Sequence, residues 1–292
     1  MQLLTYINLA SQQIIFGNTP PLILATVQGT ESTSVARKTL KGAMQDGERT
    51  VSMLRDNRLI DVTFSLITGD RRDLYRQRAR LSEVLGPDRG FNRDTGERGR
   101  LIYQNNFGRW WTWAVPSRPP RWPRRLQDLH ANIKTSFECD SPYWFSTSDN
   151  STAFVNYSAD FSMPVKFPER FGVRALEAAL INYGQSNTPV KITVNGEGER
   201  LSIINRTTGA RISFTTPLPK GDLLELNTDP EDLYVLITDN AGQRNAYGYL
   251  DVTTPITGFY LAPGENRIEY ESGDATSRTR VSMTWLDRFE GL

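Results

Sequence analysis

Few side chains in this 292-residue sequence could do chemistry, and they are poorly placed to do it together. There is one histidine, His130 in "LQDLHANIK", and one cysteine, Cys139, nine positions on. A Ser-His-Asp or Cys-His nucleophile would have to use that histidine. Odd spacing along a continuous strand puts the two on opposite faces, so no Cys-His pair is expected. A zinc or iron site needs several His or Cys ligands, and one of each leaves no metal site to build. Cys139 reads instead as a small buried apolar group, and a lone cysteine rules out an internal disulfide framework.

Paired carboxylates are the remaining route to catalysis, since two Asp or Glu residues suffice for a glycosidase. "DPEDLY" (229–234) and "GENRIEYES" (264–272) offer them, but both read more simply as solvated turns and strand edges. The sequence has no GxxxxGK[ST] run, and "GEGERL" (196–201) is too short for a dinucleotide fingerprint. No catalytic residue and no cofactor is expected.

The richest stretch is "FGRWWTWAVPSRPPRWPRR" (107–125). Trp110, Trp111, Trp113 and Trp122 lie close to Arg109, Arg118, Arg121, Arg124 and Arg125. Aromatics interleaved with Arg can stack nucleic-acid bases, and exposed Trp can stack on sugar rings. They also anchor cores and subunit interfaces, where aromatics and Arg are enriched. Packing or an interface is the preferred reading, with the four tryptophans and Arg121 as the platform.

The elements that must carry these residues are mostly strands. "RLIDVTFSLITGD" alternates, with Ile60, Val62, Phe64 and Leu66 on one face. Residues 71–85 then carry Leu74, Tyr75, Leu81, Val84 and Leu85 at helical spacing, so one amphipathic helix is expected there. Asp70 can cap its start, and Gly86-Pro87 stops it. Asp46-Gly47 marks a turn. "HANIKTSFEC" alternates again, with Ile133, Thr135, Phe137 and Cys139 sharing a face.

"STSDNSTAFVNYSAD" is small, polar and poorly periodic, which suits a connection between domains. Two domains are therefore expected, 1–145 and 146–292. The second half reads as almost all strand, at spacings of about ten residues with Asn-Gly, Lys-Gly and Pro-Gly turns between, which points to a β-sandwich or barrel. The exception is "RFGVRALEAALINYG", with a helical segment or an irregular strand.

Composition sets the outer limits. The 34 basic and 33 acidic residues nearly cancel, so no overall field points to nucleic acid or an anionic membrane. With 6 Trp, 11 Tyr and 13 Phe there is ample aromatic area to bury, which argues against global disorder. The start of the sequence has no basic n-region, and no stretch nears the ~20 apolar residues of a membrane-spanning helix. The chain reads as a soluble protein made in a cytoplasm, and the triplets at Asn150, Asn156 and Asn205 as chance matches to a glycosylation signal.

Together these stretches resemble the distal tail protein family of long-tailed bacteriophages. Asn182 and Gly184 in "INYG", Pro189 and Ile192 in "TPVKITVNG", and "LSIINRTTGARI" fit the family's order of a short Asn-x-Gly start, a Pro-led strand and an Asn-x-x-[ST]-Gly turn. "GDLLELNT" matches the next strand. "FYLAPGENRIEY" carries a Leu-x-Pro-Gly-x-Asn hairpin on Leu261, Pro263, Gly264 and Asn266, and "VSMTWLDRFEGL" the final strand. "QDGERTV" resembles the family's Asp-Gly turn, and "SPYW" (141–144) stands where the family has an aspartate-proline-aromatic signal, with Ser141 in place of the aspartate.

The resemblance implies a mainly β protein: a ring-forming N-terminal β-rich domain with one helix, and a C-terminal galectin-like β-sandwich displayed outside. It implies a homohexameric connector at the tail tip of a virion. Its neighbours would be the tail tube protein above and the baseplate hub or tail-associated protein below, with the tape measure protein and DNA in transit through a lumen. A receptor-binding protein is a further partner of such assemblies. A rival reading is a carbohydrate-binding module that uses Tyr247, Tyr249 and Trp285 as exposed aromatics.

Overall fold

A computed structural model describes residues 2–122, 129–155, 176–271 and 279–292. The chain forms two compact units, Met1–Thr147 with Phe289–Leu292 (unit 1) and Ser148–Arg288 (unit 2).

Unit 1 holds strands Leu3–Ile7 (β1), Gln13–Phe16 (β2), Leu22–Gln28 (β3), Val35–Leu40 (β4), Arg49–Arg55 (β5) and Arg58–Ile67 (β6). Helix Arg71–Val84 (α1) and one turn at Pro87–Gly90 (α2) follow, then strands Gly99–Gln104 (β7), Arg109–Arg118 (β8), Leu129–Cys139 (β9) and Trp144–Ser146 (β10). The main sheet runs β2-β1-β7-β8-β9-β6-β3, all antiparallel, with β10 also paired to β8. Its two outer strands meet at a parallel bridge between Gly17 and Ile23, where Leu24 N donates to Gly17 O at 2.7 Å. The sheet therefore curls back on itself around one core.

The alternation read from the sequence sets that core. Ile60, Val62, Phe64 and Leu66 on β6, and Ile133, Thr135, Phe137 and Cys139 on β9, are all buried. Helix α1 starts where expected: the Asp70 carboxylate accepts from Asp73 N at 2.6 Å, satisfying one of the open amides of the first turn. It lays Leu74, Leu81 and Val84 into the core. Tyr75 departs from the expectation and is exposed, because it falls beside the stripe defined by the other three.

Among the described residues, the buried Tyr6 hydroxyl has no hydrogen-bond partner. Burial without a partner costs free energy and pushes this phenol well above its ordinary pKa. Tyr6→Phe is therefore expected to leave thermal stability unchanged or raise it by up to about 1 kcal/mol; a loss above that size in a melting curve would mean that the hydroxyl is satisfied.

Unit 2 holds Asn150–Val155 (β11), Leu176–Asn182 (β12), Lys191–Asn195 (β13), Ser202–Asn205 (β14), Arg211–Ser213 (β15), Leu223–Asn227 (β16), Tyr234–Asp239 (β17), Gly242–Asn245 (β18), Gly264–Glu271 (β19) and Arg280–Trp285 (β20). A two-residue strand, Arg288–Phe289 (β21), follows at the junction with unit 1. A six-stranded sheet, β11-β20-β13-β16-β17-β18, and a four-stranded sheet, β12-β19-β14-β15, both contribute to one buried cluster that includes Ile192, Val194, Ile203, Leu226, Ile237, Ile268 and Met283. This is a β-sandwich.

Three local expectations change here. The polar stretch expected as a connection contains β11, which pairs along its whole length with β20 as an edge strand. An edge strand can be small and polar without a clear apolar period. The undecided segment before "INYG" is strand from Leu176, paired with β19, while 170–175 lie outside the described residues. "NAYGYLD" is not a strand but leads from β18 into a tight helical turn at Tyr247–Tyr249. Among the described residues no helix is long and apolar enough to cross a membrane.

Candidate assembly surface

The structure divides the Trp and Arg platform expected from the sequence. Neighbouring residues of a strand point to opposite faces, so Trp110 separates from Trp111 and Trp113. Trp110 packs against the unit 1 core and meets Phe289 edge-on, with ring centroids 6.1 Å apart. Trp111 and Trp113 sit on the other face, T-shaped at 5.0 Å, and Trp111 also lies 5.1 Å from Phe145. The Trp111 indole N–H donates to Ser146 O at 2.8 Å.

The guanidinium of Arg100 lies over both outer rings, 4.5 Å from Trp111 and 5.1 Å from Trp113. Arg78 of α1 covers Trp122 at 4.7 Å, and Trp122 packs on the core as well. These ring faces are occupied by the protein's own cations, so the four tryptophans do not make one open stacking surface for bases or sugars. Arg121 is exposed, while Arg124 and Arg125 lie outside the described residues. Packing is the role that the described contacts give these tryptophans.

Cys139 and several of the candidate carboxylates have structural surroundings of their own. Cys139 is buried, and burial pushes its thiol up to about 12, away from the thiolate that nucleophilic chemistry needs. His130 lies in the same strand, with its side chain outside the described residues. Asp229 accepts from Glu231 N and pairs with Arg288 at 2.7 Å; Asp232 accepts from Asn227 at 3.0 Å; Glu269 is held by Arg206. These carboxylates hold turns and strands. Among the described residues no group of three or more His, Cys, Asp or Glu comes together in a way that could hold a metal ion. The rival aromatic platform is corrected too. Trp285 is buried in the sandwich core and Tyr249 packs against that core under Arg244, which leaves only Tyr247 exposed.

Two features of unit 1 escaped sequence reasoning. The first is the hairpin β4–β5, whose strands pair only with each other among the described residues, so both of its outer edges lack a strand partner there. Its Asp46-Gly47 turn is as expected, with Gly47 at φ 80, but its apolar side chains are not covered. Val51 is 65% exposed, Met53 64% and Leu54 57%, and Val35, Leu40 and Met44 are exposed as well. An isolated two-stranded hairpin is at best marginally stable in water, and unpaired edges are templates for association. Arg37, Lys38, Lys41, Arg49 and Arg55 against Asp46 and Glu48 give it a basic excess that aids solubility.

The second is Arg58, fully buried at the start of β6. One terminal nitrogen donates to Gly29 O at 2.6 Å and Glu31 O at 2.5 Å, the other to Pro142 O and Glu290 O, both at 2.6 Å. Its guanidinium also lies 5.4 Å from the buried Trp144 ring. "SPYW" thus supplies a carbonyl and an aromatic face to one buried cation, and the last residues are tied in beside it: Arg55 pairs with Glu290 at 2.5 Å, and Leu292 N donates to Thr30 O at 3.2 Å.

In unit 2 the asparagines of the sequence motifs are turn builders. Buried Asn182 donates to Ser186 O and Leu261 O, both at 3.0 Å, and accepts from Gly184 N at 2.8 Å. Gly184 is required there, because a Cβ would fall 2.5 Å from Arg288 O. Asn205 accepts from Thr207 N and Thr208 N, and donates to Tyr260 O at 2.9 Å and to Asn266 Oδ1 at 3.2 Å. Asn266 closes the hairpin by donating to Ala262 O and Gly264 O and accepting from Ala262 N.

Residues 183–289 match the family described as siphovirus-type tail component, C-terminal domain. That match covers nearly the whole stretch in which these asparagine turns occur, in agreement with the resemblance carried by the motifs. No curated protein matches the chain. Among solved structures, the distal tail protein Dit of phage SPP1, titled a paradigm of hub adsorption apparatus in phages infecting Gram-positive bacteria, has the same fold: TM-score 0.63 at 12% identity, covering 98% of this chain and 99% of that one. Chains of the phage P2 baseplate are also similar, at TM-score 0.49 with 9% identity over 100% of this chain and 99% of that one, and at 0.45 with 9% identity over 97% and 98%. Residues 183–289 are thus similar to a siphovirus-type tail component domain, and the whole chain has a distal-tail-type fold.

Proposed function

We propose that the protein is the distal tail connector of its virion: a homohexameric ring between the tail tube protein and the baseplate hub, enclosing a lumen for DNA and the tape measure protein. It has no catalytic role in this reading, is made in the cytoplasm of the bacterial host, and offers the ring as a mount for a receptor-binding protein. The match to a tail component domain and the shared fold with a hub protein support this reading. The observation that carries ring formation is the uncovered β4–β5 hairpin. A closed ring needs a head-to-tail contact between two different patches of neighbouring copies. A projecting apolar arm with free edges is suited to be one of them, and docking onto the next copy would cover it.

The test uses the full chain and a Met53→Glu, Leu54→Glu variant. Native mass spectrometry is expected to give six times the chain mass for the wild type. Each covered apolar side chain is worth roughly 1.5–3 kcal/mol, so two charges at every interface should return the variant to monomers. Its melting temperature should hardly move, since neither side chain enters a core. A wild type that stays monomeric at high concentration removes the ring, and a variant that still assembles removes the hairpin from it.

A further inference from the structure

A groove of about 420 Å³ opens on unit 2 over β14 and β15, within the size range of small-molecule sites. Leu201 and Phe214, both buried, lie at its base, and Arg200, Arg211, Ser213, Thr215, Asp251 and Thr253 form its polar lining. The lining is only partly satisfied internally. Arg211 spends its Nε on Ser202 Oγ at 2.8 Å and Ser213 Oγ at 2.9 Å, and reaches Glu271 only at 3.6 Å. Asp251 accepts from Thr253 N at 2.9 Å and Thr253 Oγ1 at 2.7 Å, both on the same oxygen, Oδ1. Its Oδ2 has no hydrogen-bond partner among the described residues. Those two bonds and nearby Arg211 hold the carboxyl below its usual range, so it stays ionised.

Arg200 is the unusual member. It adopts φ 49, in the left-handed region that glycine or asparagine occupies far more cheaply. It forms no ion pair with any described residue, and it follows a stretch, Gly196-Glu197-Gly198-Glu199, in which glycine already occurs twice. A strained cationic residue at the rim of a groove is the kind of outlier from which a function can be argued.

We propose that this groove binds a neutral saccharide through a pair of adjacent hydroxyls. The reasoning is electrostatic. A phosphate or carboxylate would be drawn by Arg200 and Arg211 but repelled by ionised Asp251, and a cation would meet the reverse. A hydroxyl can donate to Asp251 Oδ2 and accept from a guanidinium N–H at once, so a vicinal diol satisfies both signs with no net charge to desolvate. The site does not depend on ring assembly and involves none of the hairpin residues.

Saturation-transfer NMR on the full chain tests it, with glucose, galactose, N-acetylglucosamine and their methyl glycosides at millimolar concentration as probes, and inorganic phosphate in a parallel titration. At least one sugar is expected to receive saturation, and Asp251→Asn should weaken that binding tenfold or more. Arg200→Gly should weaken it similarly while melting no lower than the wild type, because glycine relieves the left-handed backbone. The oligomer mass should be the same in both variants. The proposal is overturned if no sugar receives saturation, or if the signal survives both substitutions. It is also overturned if phosphate binds more tightly than every sugar and tightens further in Asp251→Asn, which would make the groove an anion site.

Discussion

Replacing Arg58 by methionine is expected to destabilise unit 1 by roughly 3–5 kcal/mol, a larger loss than a typical surface substitution causes. The side chain makes four charge-assisted hydrogen bonds to carbonyls from three segments: Gly29 with Glu31, Pro142, and Glu290. Methionine fills similar space but donates nothing, leaving buried acceptors stranded at about 1–3 kcal/mol each before relaxation. The bonds share one donor group, so their losses do not add. Lysine is no substitute, because one ammonium cannot present two parallel pairs of donors as the planar fork does. At about 2–4 °C per kcal/mol, the melting temperature of unit 1 should fall by roughly 6–20 °C. Arg55→Met is the control: its ion pair with Glu290 is partly exposed, and its loss should cost at most about 1 kcal/mol. Equal melting of Arg58→Met and Arg55→Met would show that the four carbonyls are satisfied in another way.

The contrast between these arginines bears on what a sequence can reveal. Strand β6 and helix α1 were legible because their side chains repeat at the periods of the backbone, and Asp70 announces the helix start. The hairpin β4–β5 was not, since a strand pair exposed on both faces has no apolar-polar alternation to detect. Arg58 was invisible for another reason: its partners are backbone carbonyls, which look the same at every position, and they come from three places in the chain. Alternation alone could have separated Trp110 from Trp111 and Trp113, and could have turned Trp285 inward with Val281 and Met283, which are buried on the same strand. The motif asparagines were recognised from family resemblance, yet their physical meaning needed the loop partners that only the fold brings near.

Asn266 gives the second large effect. Its amide Nδ2 donates to Ala262 O at 2.7 Å and Gly264 O at 3.0 Å, while Oδ1 accepts from Ala262 N at 2.9 Å and Asn205 Nδ2 at 3.2 Å. Every polar position of this fully buried side chain is used, so Asn266→Ala strands donors and acceptors together and should cost unit 2 roughly 2–4 kcal/mol. The exposed bond from Arg267 N to Thr207 Oγ1, one residue along, offers the comparison: Thr207→Ala should cost under about 1 kcal/mol. Asn266→Asp separates donor loss from acceptor loss. Its carboxylate keeps an oxygen for Ala262 N but turns a second oxygen toward two carbonyls. Burial raises the folded-state pKa of such an aspartate above its unfolded value. The protonated form, which regains one donor, therefore holds what stability remains at low pH, and that stability is lost as pH rises through the folded-state pKa. Melting curves should show the gap between Asn266→Asp and wild type widening from acid to neutral pH, while the gap for Asn266→Ala stays flat. A gap for the aspartate variant that narrows toward neutral pH would mean that its carboxylate is solvated, and that the hairpin opens to water at the point where the motif asparagines meet.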